Sequence, residues 1–599
     1  MATLIKERID ALRMEMRKQG ITVYIIPTAD YHESEYVGEY FKARQYMTGF
    51  TGSQGTAVVT LKEACLWTDG RYFLQAAQQL EGSGILLQRM GQEGVPEIEE
   101  YLENVLDRNA CLGFDGRVVN AATGKGYEEI ARRKGASLHT DGDLVDRIWT
   151  DRPQMSHEKA WILEETYSGQ SSLDKLRAIR REMQENGCKY HLISSLYDIA
   201  WILNLRGNDI SYVPVILSYM AITSEKCLWF VQPEAVTDEV RNYLDGLQVE
   251  ICPYQEFYEY VKTIPAGEWV WLDTSVLNYR ACESIPESVY KLDGTIPSER
   301  MKAVKNETEL ANIRIAHEKD AAAMIEFIYW IKHQVGKIPM TEISVSDYLE
   351  QLRKKQANNL GISFSTICGY KEHGAIVHYH AEPESDKPLE PEGLLLVDSG
   401  GHYLEGTTDI TRTIVLGPVT EEMKADYTRV CRSMLALANA RFRHGCTGIN
   451  LDILARAPFW EADMDFNHGT GHGVGYLLNV HEGPQGFRWR TARGKREAAV
   501  FEAGMVTTDE PGIYPEGKYG IRIENELICR KGTKTPSGQF MYFENITYVP
   551  IDLEAIDPGQ MNETERRYLN EYHQMVYRTM APKLPGYLAE WLKDATRMI

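Results

Sequence analysis

The chain has 599 residues, of which 43% are hydrophobic, and its formal net charge at pH 7 is −21. At roughly 150 residues per domain, this length allows about four units with buried cores. The negative charge argues against nucleic acid or an anionic membrane as a partner, and no signal-peptide core or run of ~18 apolar residues is present, so we expect a cytoplasmic protein.

The first half of the chain alternates strand-like and helical segments. In residues 1–155, runs such as "ITVYIIPT" and "TAVVTL" predict strands, and "DGRYFLQAAQQLE" predicts a helix. Residues 156–298 repeat this character, and a weak internal echo pairs "CLWTDG" with "CLWF". Either a duplication or convergent strand-and-turn chemistry would produce the echo. The sequence therefore predicts two α/β domains, 1–155 and 156–298.

The second half begins with a long amphipathic helix, "NETELANIRIAHEKDAAAMIEFIYWIKHQ". Its apolar stripe consists of Leu310, Ile313, Ala316, Ala321 and Met324. Such a stripe predicts packing against a sheet. The helix opens a third predicted domain, 299–552, which is followed by a helical extension, 553–599, that we expect to cover an exposed sheet edge. The predicted fold class is α/β and α+β multidomain.

Two aspartates in "VDSGGHYLEGTTDITRT" are candidate metal ligands. "GLLLVDSGG" predicts an apolar strand that delivers Asp398 at its end, and "TTDITRTIVLG" predicts a second strand after a Glu-Gly turn. Because side chains alternate along a strand, Asp409, Thr411 and Thr413 share one face. A hairpin of these two strands would bring Asp398 and Asp409 together.

Two glutamates repeat this arrangement. "MVTTDEPGIY" and "GIRIENELIC" flank the turn-forming stretch "PEGKYG". Glu510 and Glu524 can therefore face each other across a second hairpin. Arg522 lies on the same strand face as Glu524, where it is placed to orient a carboxylate.

A histidine, His472 in the glycine-rich stretch "HGTGHGVG", is the fifth candidate ligand. Each of these motifs alone is more typical of a turn, because Asp, Ser, Gly and Pro are the usual turn residues. Together, however, the four carboxylates carry four negative charges, which two divalent cations would neutralise. This balance indicates a two-metal hydrolytic site.

The order Asp, Asp, His, Glu, Glu within "DSGGHYLEGTTDITRT", "HGTGHGVGYLLNVHEGP", "TTDEPG" and "GIRIENE" resembles the pita-bread metallopeptidases, specifically the Xaa-Pro aminopeptidases (aminopeptidase P). The segments "WTDGRYFLQAA", "DIAWILNLRG", "MKAVKNETELANIR" and "YLNEYHQMVYRT" extend the resemblance to the long, three-domain form over essentially the whole chain. It implies two creatinase-like N-terminal α/β domains followed by a C-terminal pita-bread catalytic domain.

The resemblance implies that two divalent metal ions are bound by Asp398, Asp409, His472, Glu510 and Glu524, with Asp409 and Glu524 bridging both ions. One imidazole and four carboxylates without a thiolate suit Mn²⁺, with Co²⁺ or Zn²⁺ as alternatives. Manganese is the metal that the resemblance favours.

The resemblance also points to three histidines that contact substrate or handle protons. They are His378 in "AIVHYHAEP", His468 in "NHGTGH" and His481 in "NVHEGP". Arg522 joins them among the expected substrate-binding residues. His380 would share the strand face of His378 at a spacing of two. We assign the role to His378, which directly precedes the Tyr of the family pattern, and interpret His380 as a surface strand residue.

The activity implied is release of the N-terminal residue from peptides with Pro in the second position. Metal coordination lowers the pKa of a bridging water far below that of bulk water, toward ~7, which supplies hydroxide as the nucleophile. Glu510 is the expected general base, and His378 and His481 are the expected oxyanion donors. His468 would line the pocket for the Pro ring, and the substrate amine would lie against a metal and Asp398.

Four other functions use the same kind of fold. A prolidase cleaves Xaa-Pro dipeptides, and a methionine aminopeptidase uses the same five ligands, although the N-terminal extension of nearly 300 residues argues against it. A non-catalytic peptide-binding module and a metal-independent creatine-cleaving enzyme are the remaining alternatives. All five ligands are present here, which disfavours both. The resemblance suggests a homodimer.

Overall fold

The computed structural model describes residues 2–491 and 499–599, which form two compact units. The first unit comprises residues through 163 together with 170–298, and the second comprises 164–169 together with 299–599. Among the described residues, no helix is both long and apolar enough to cross a membrane. All ten cysteines lie in the described ranges, and each is a free thiol.

The first unit begins with a six-stranded mixed sheet. Its elements are α1 (Ala2–Lys18), β1 (Val23–Pro27), α2 (Ala43–Thr48), β2 (Thr56–Thr60), β3 (Ala64–Thr68), α3 (Phe73–Gln79), β4 (Leu86–Arg89), α4 (Ile98–Val105), β5 (Cys111–Phe114), α5 (Ala121–Lys134) and β6 (Ser137–His139). The strand order is β4-β3-β2-β1-β5-β6. The strands predicted from "ITVYIIPT" and "TAVVTL" are confirmed as β1 and β2.

A second six-stranded sheet follows in the same unit. The elements of this part of the chain are β7 (Trp161–Ile162), α6 (Glu165–Ser168), α7 (Ser172–Glu185), β8 (Tyr190–Ile193), α8 (Leu196–Leu203), β9 (Leu205–Arg206), β10 (Ser218–Thr223), β11 (Cys227–Val231), α9 (Asp238–Leu247), β12 (Val249–Pro253), α10 (Phe257–Val261), β13 (Trp269–Leu272), α11 (Tyr279–Ser284) and β14 (Tyr290–Asp293), of which β7 and β9 pair in a separate two-stranded sheet. Of these, α6 belongs to the second unit.

The two sheets have the same topology. The second has the order β12-β11-β10-β8-β13-β14. In both, the central strand pairs antiparallel on one side and parallel on the other, and the outermost pairs are parallel. The "CLW" segments of the internal echo lie on the equivalent strands β3 and β11. The echo therefore reflects a repeated architecture.

The second unit carries the five candidate ligands. Its elements are α12 (Pro297–Ala303), α13 (Glu307–Gln334), α14 (Glu342–Lys354), β15 (Asn359–Ile362), β16 (Ile367–Tyr370), β17 (Leu394–Ser399), β18 (Gly401–Tyr403), β19 (Gly406–Thr407), β20 (Ile410–Val415), α15 (Glu421–Ala438), β21 (Arg441–Arg443), α16 (Gly448–Trp460), β22 (Gly471–Gly473), β23 (Glu482–Phe487), β24 (Val506–Asp509), β25 (Gly512–Ile513), β26 (Ile521–Arg522), β27 (Asn525–Thr535), β28 (Gly538–Asn545), α17 (Glu563–Met580) and α18 (Gly586–Ala595). Its largest sheet has the order β21-β28-β27-β24-β22-β23, and a three-stranded sheet has the order β16-β17-β20.

Helix α13 confirms the predicted long helix. Asn306 and Glu309 form a reciprocal capping box at its N-terminus, which satisfies two amide donors that a helix end leaves open. Every residue of the predicted apolar stripe is buried. Met324 on this stripe contacts Ser399 at the end of β17, with 3.9 Å between Ser399 Oγ and Met324 Sδ. The helix thus packs beside one of the strands that carry the candidate ligands.

The sequence suggested that the C-terminal extension only covers a sheet edge. In the structure it also forms part of the core. Leu569, Tyr572 and Val576 of α17 belong to the main hydrophobic core of the second unit. The Tyr572 hydroxyl accepts from Arg412 Nη2 at 2.7 Å and donates to Val549 O at 2.6 Å. Arg412, fully buried on β20, also donates to the carbonyl oxygens of Thr411 and Glu524, at 2.8 and 2.6 Å. The extension is therefore bonded to the strands that carry candidate ligands.

Tyr572→Phe is expected to lower the free energy of unfolding of the second unit by about 1–3 kcal/mol, because it removes a buried hydrogen bond to a charged group. Chemical denaturation of the two proteins measures the difference. Tyr568→Phe, at a half-buried position on the same helix, is the matched control. Equal stabilities for Tyr572→Phe and the native protein would contradict the structural role assigned to this contact.

Candidate metal centre and active site

The first ligand hairpin forms as predicted. Strands β17 and β20 pair antiparallel with Asp398 opposite Thr411, and every residue of both strands is buried. Asp409 lies just before β20 and so is the diagonal neighbour of Asp398. Diagonal neighbours on one face of a sheet are close enough for long side chains to meet. The two aspartates therefore lie side by side in the interior.

The second ligand hairpin also forms as predicted. Asp509 on β24 pairs with Asn525 on β27, and the same register continues to Gly512 opposite Arg522. Glu510 and Glu524 lie between these pairs, directly opposite each other. The Glu510 amide donates to Thr470 O at 2.8 Å, which ties this hairpin to the chain just before His472.

His472 is positioned by its own strand. It lies on β22, and its amide donates to Thr508 Oγ1 at 3.0 Å. Its Nδ1 is 2.9 Å from Gly473 O. A carbonyl oxygen only accepts, so Nδ1 carries the proton and Nε2 presents a lone pair. Nε2 lies 3.4 Å from both Asp409 Oδ2 and Glu510 Oε1.

Asp409, His472 and Glu524 form a cluster whose ligand atoms all lie within 4.8 Å of one another. Asp409 and Glu524 are almost completely buried, with whole-residue exposures of 4% and 1%. Burial raises the pKa of Asp409 well above its ordinary value, and the charges of Asp398 and Glu510 raise it further. Burial and the charge of Asp409 raise the pKa of Glu524 in the same way. Cations between these groups would relieve both penalties.

Asp398 supplies a further oxygen atom that is available to coordinate a metal ion. Its Oδ1 is buried and has no hydrogen-bond partner among the described residues. Buried carboxylate oxygens are normally satisfied, so an open one beside other carboxylates fits a cation ligand. The donor set of carboxylates and one imidazole therefore fits hard or borderline divalent ions.

Arg522 orients Asp398, as its position on the strand suggested. It donates from Nη2 to Asp398 Oδ2 at 2.6 Å and from Nη1 to Tyr514 OH at 2.7 Å. Its Nε donates to Thr411 Oγ1 at 3.2 Å, and the Thr411 hydroxyl donates to Glu524 Oε2 at 2.7 Å. One buried guanidinium thus connects two of the candidate ligands through hydrogen bonds.

His468 is held in one tautomer by the same network. Its Nε2 is 2.9 Å from Tyr514 OH, and its Nδ1 is 2.7 Å from Gly469 O. Nδ1 must donate to the carbonyl, so Nε2 accepts from the tyrosine hydroxyl. The structure therefore connects His468 to Asp398 through Tyr514 and Arg522.

His481 and the turn that carries His378 lie beside the site in two different loops. The His481 ring lies 4.2 Å from the His472 ring, centroid to centroid, with the planes nearly perpendicular at 88°. His378 lies in a turn, and the preceding Val377 O accepts from Arg522 Nη2 at 3.5 Å. The turn is thereby placed beside Arg522.

The expectation that His378 and His380 share a strand face was wrong. Residues 371–375 form a short 3-10 helix, His378 is part of the turn that follows, and His380 is in irregular chain. The side chain of His378 is half-buried and that of His380 is exposed. Alternation along a strand therefore does not apply to this pair.

Three residues of the site were missed from the sequence. Tyr514 joins Arg522 to His468, as described above. Glu526 Oε1 accepts from the Asp409 amide at 2.7 Å, and Glu526 Oε2 lies 3.2 Å from His317 Nε2. Alternation along β27 would have found Glu526, which lies two residues after Glu524. No local pattern marks Tyr514 or His317.

Models of known families match almost the whole chain. The Creatinase/Prolidase N-terminal domain matches residues 8–148 and again 151–309. Metallopeptidase family M24 matches residues 311–531, and the C-terminal region of peptidase M24 matches 539–599.

Full-length relatives agree with these matches. Aminopeptidase P2 of Arabidopsis thaliana is 36% identical, over 99% of this chain and 88% of that protein. Xaa-Pro aminopeptidase 1 of Dictyostelium discoideum is 36% identical, over 96% of this chain and 93% of that protein. The crystal structure of X-prolyl aminopeptidase from Caenorhabditis elegans, described as a cytosolic enzyme with a di-nuclear active site, superposes with a TM-score of 0.94 at 32% identity over 100% of both chains.

This fold and this donor set define a metallohydrolase. The resemblance to the pita-bread metallopeptidases is confirmed, as are the creatinase-type N-terminal domains and the pita-bread domain that it implied. The chain belongs to metallopeptidase family M24.

Proposed function

We propose that this protein is an Xaa-Pro aminopeptidase that removes the N-terminal residue from peptides with Pro in the second position. The observation that carries the proposal is the convergence of Asp409, His472 and Glu524 within 4.8 Å. It occurs in a chain that is similar from end to end to proteins named for this activity.

The site would hold two divalent metal ions. The residues that would hold them are Asp398, Asp409, His472, Glu510 and Glu524. When bound, such ions supply hydroxide at neutral pH and polarise the scissile carbonyl. The donor chemistry favours Mn²⁺, and Co²⁺ or Zn²⁺ also suit it.

Glu510 is the proposed general base. Its side chain is 18% exposed, more than Asp409 at 5%, so it can reach water entering the cavity. The Thr508 hydroxyl donates to Glu510 Oε1 at 3.3 Å and fixes the carboxylate. Glu510 accepts the proton of the attacking water and returns it to the Pro nitrogen as that nitrogen leaves.

The histidines are proposed to act on the substrate. His378 and His481 donate hydrogen bonds to the developing oxyanion, where fixed donors are most effective. His468 lines the pocket for the Pro ring. Its ring is held in one orientation, because both of its nitrogens are hydrogen-bonded. A dedicated pocket is needed because Pro has no amide N–H and a fixed φ, so the usual backbone contact of an extended substrate is lost.

Arg522 contributes to substrate binding through Asp398. The substrate amine is cationic and would lie against the Asp398 carboxylate, which Arg522 holds in place. A free N-terminus is therefore required, and internal Xaa-Pro bonds would be excluded.

We propose domains at 1–155, 156–298, 299–552 and 553–599, and the ranges of the family models support these divisions. A cytoplasmic homodimer is proposed from the resemblance, and the description of the Caenorhabditis elegans enzyme as cytosolic supports the location.

Hydrolysis of an Xaa-Pro-Xaa tripeptide should be lost after metal removal by a chelator and restored by Mn²⁺. The same preparations are tested on an Xaa-Pro dipeptide and a Met-initiated peptide without Pro, and metal content is measured by elemental analysis. We expect the tripeptide to be cleaved at least tenfold faster than either comparison peptide.

Each alternative outcome identifies a different function. Activity that persists after verified metal loss would refute the metal-dependent mechanism. Preferential cleavage of the dipeptide would assign a prolidase, and binding without cleavage of any peptide would assign a peptide-binding module.

A further inference from the structure

A buried carboxylate, Glu342, lies beneath the segment that carries His378. Glu342 is the first residue of α14 and is completely buried. Its Oε1 accepts from the Tyr370 amide at 2.7 Å, and its Oε2 accepts from the Lys387 amide at 3.1 Å. His373 Nδ1 lies 3.0 Å from both oxygens, and Tyr379 OH lies 2.9 Å from Oε2.

These four donors match what an ionised carboxylate can accept. A carboxylate offers about four lone-pair sites and no proton, so the set is filled. Glu342 lies in the first turn of α14, where the helix dipole stabilises a negative charge. The helix is capped independently by Thr341 and Ser344. The backbone amide of each residue donates to the side-chain oxygen of the other. The Glu342 side chain is therefore not needed as a cap and is committed to its four donors.

All four donors belong to one segment, residues 370–387. Lys387 O also accepts from the Glu342 amide at 3.1 Å, and Asp386 Oδ1 accepts from the Ile343 amide at 3.0 Å. The N-terminus of α14 thus clamps both ends of the segment. Within it, the His373 and Tyr379 rings pack on each other, with centroids 4.5 Å apart.

His378 lies between two of the residues that Glu342 holds. His373 precedes it by five positions, and Tyr379 follows it directly. The residue before it, Val377, accepts from Arg522 Nη2 through its carbonyl oxygen at 3.5 Å. The chain around His378 is thus bonded both to Glu342, through His373 and Tyr379, and to Arg522 of the active site, through Val377 O.

We infer that Glu342 is a positioning residue that fixes the His378 turn against the active site. The inference rests on the proposed function, in which His378 donates to the oxyanion. A displacement of about 1 Å in a catalytic group can reduce the rate ~10²-fold, so a rigid support for this turn has a direct effect on turnover.

Glu342→Gln tests the inference in a double-mutant cycle with His378→Ala. The glutamine keeps the size of the side chain but replaces one acceptor oxygen with a donor that faces existing donors. We expect kcat on an Xaa-Pro tripeptide to fall at least tenfold in the native background, with KM changed less than threefold. In the His378→Ala background, Glu342→Gln should reduce kcat less than twofold, because the group that it positions is already absent.

Three controls make the result decisive. Asp347→Asn, on the exposed face of α14, should leave kcat unchanged. Metal content should be equal in all variants, since Glu342 touches no proposed ligand. Tyr379→Phe removes one of the four donors and replaces Glu342→Gln in the cycle if the latter does not fold. It should lower kcat about threefold in the native background and have no effect in the His378→Ala background.

Equal fold losses in both backgrounds would overturn the inference, because they would show that Glu342 acts on stability in general. An unchanged kcat for both Glu342→Gln and Tyr379→Phe in the native background would also overturn it. A native protein that cleaves no Xaa-Pro peptide would instead refute the proposed function, so the two failures are distinguishable.

Discussion

Replacing Glu510 with glutamine is expected to lower kcat on an Xaa-Pro tripeptide by at least about a hundredfold, the lower range for loss of a positioned acid or base. The amide is nearly isosteric with the carboxylate, but it cannot accept a proton at neutral pH. The Thr508 hydroxyl can still donate to the amide oxygen, so the hairpin geometry should be retained. Steady-state kinetics with saturating Mn²⁺ measures the effect.

Metal content separates the two roles proposed for Glu510. Full metal occupancy with a hundredfold loss of kcat would identify it as the base, whereas loss of one metal ion would identify it mainly as a ligand. Glu516→Gln, at an exposed position in the turn of the same hairpin, is the matched control and should be silent. A near-native rate for Glu510→Gln would remove Glu510 from both roles.

Asp409→Asn is expected to abolish activity and at the same time to raise the melting temperature of the metal-free protein. Mutating a residue that only contacts a metal ligand already lowers metal affinity 10–100-fold. Loss of a proposed ligand itself should therefore lower metal affinity by more than about a hundredfold. In the metal-free protein, however, Asp409 is a buried carboxyl group next to Asp398 and Glu510, and burial and the charges of these two residues raise its pKa. Asparagine does not ionise, so the variant avoids the cost of placing a charge at this buried position, which stabilises the metal-free fold.

Because the pKa of Asp409 is raised in the folded state, the stability of the metal-free protein depends on pH. The unfolded state releases the Asp409 proton near pH 4, whereas the folded state retains it to higher pH. The metal-free native protein therefore loses stability as pH rises from about 4 through the raised folded pKa. The advantage of Asp409→Asn should be small below pH 4 and grow above it. Calorimetry of the stripped proteins at several pH values tests this, and a lower melting temperature for the variant at pH 7 would contradict the electrostatic account.

The ligand hairpins were predictable because strand alternation is a local property. The apolar run before Asp398 and the turn residues between Glu510 and Glu524 each specify a strand or a turn within about ten residues. Arg522 followed from the same alternation, since it shares a face with Glu524. These signals need no knowledge of the tertiary structure.

The predictions that were wrong or incomplete concern residues whose contact partners lie far away in the sequence. The His378 segment has the composition of a strand, but Glu342, 28 to 37 residues before its partners, draws Tyr370, His373 and Tyr379 around one carboxylate and so favours a 3-10 helix and a turn. Tertiary contacts of this kind override local propensity. Tyr572 was read as part of an edge cover for the same reason, because its partner Arg412 lies 160 positions away.

The contact between Tyr572 and Arg412 has a consequence for biosynthesis. Helices α17 and α18 leave the ribosome after all five proposed ligands, yet Leu569, Val576 and Leu592 are part of the core around the sheets. The catalytic unit cannot close that core while its final helices are still being translated, whereas the N-terminal sheets can already have folded. During this interval the nascent chain exposes apolar surface that the last helices will cover, which makes it a natural client for chaperones.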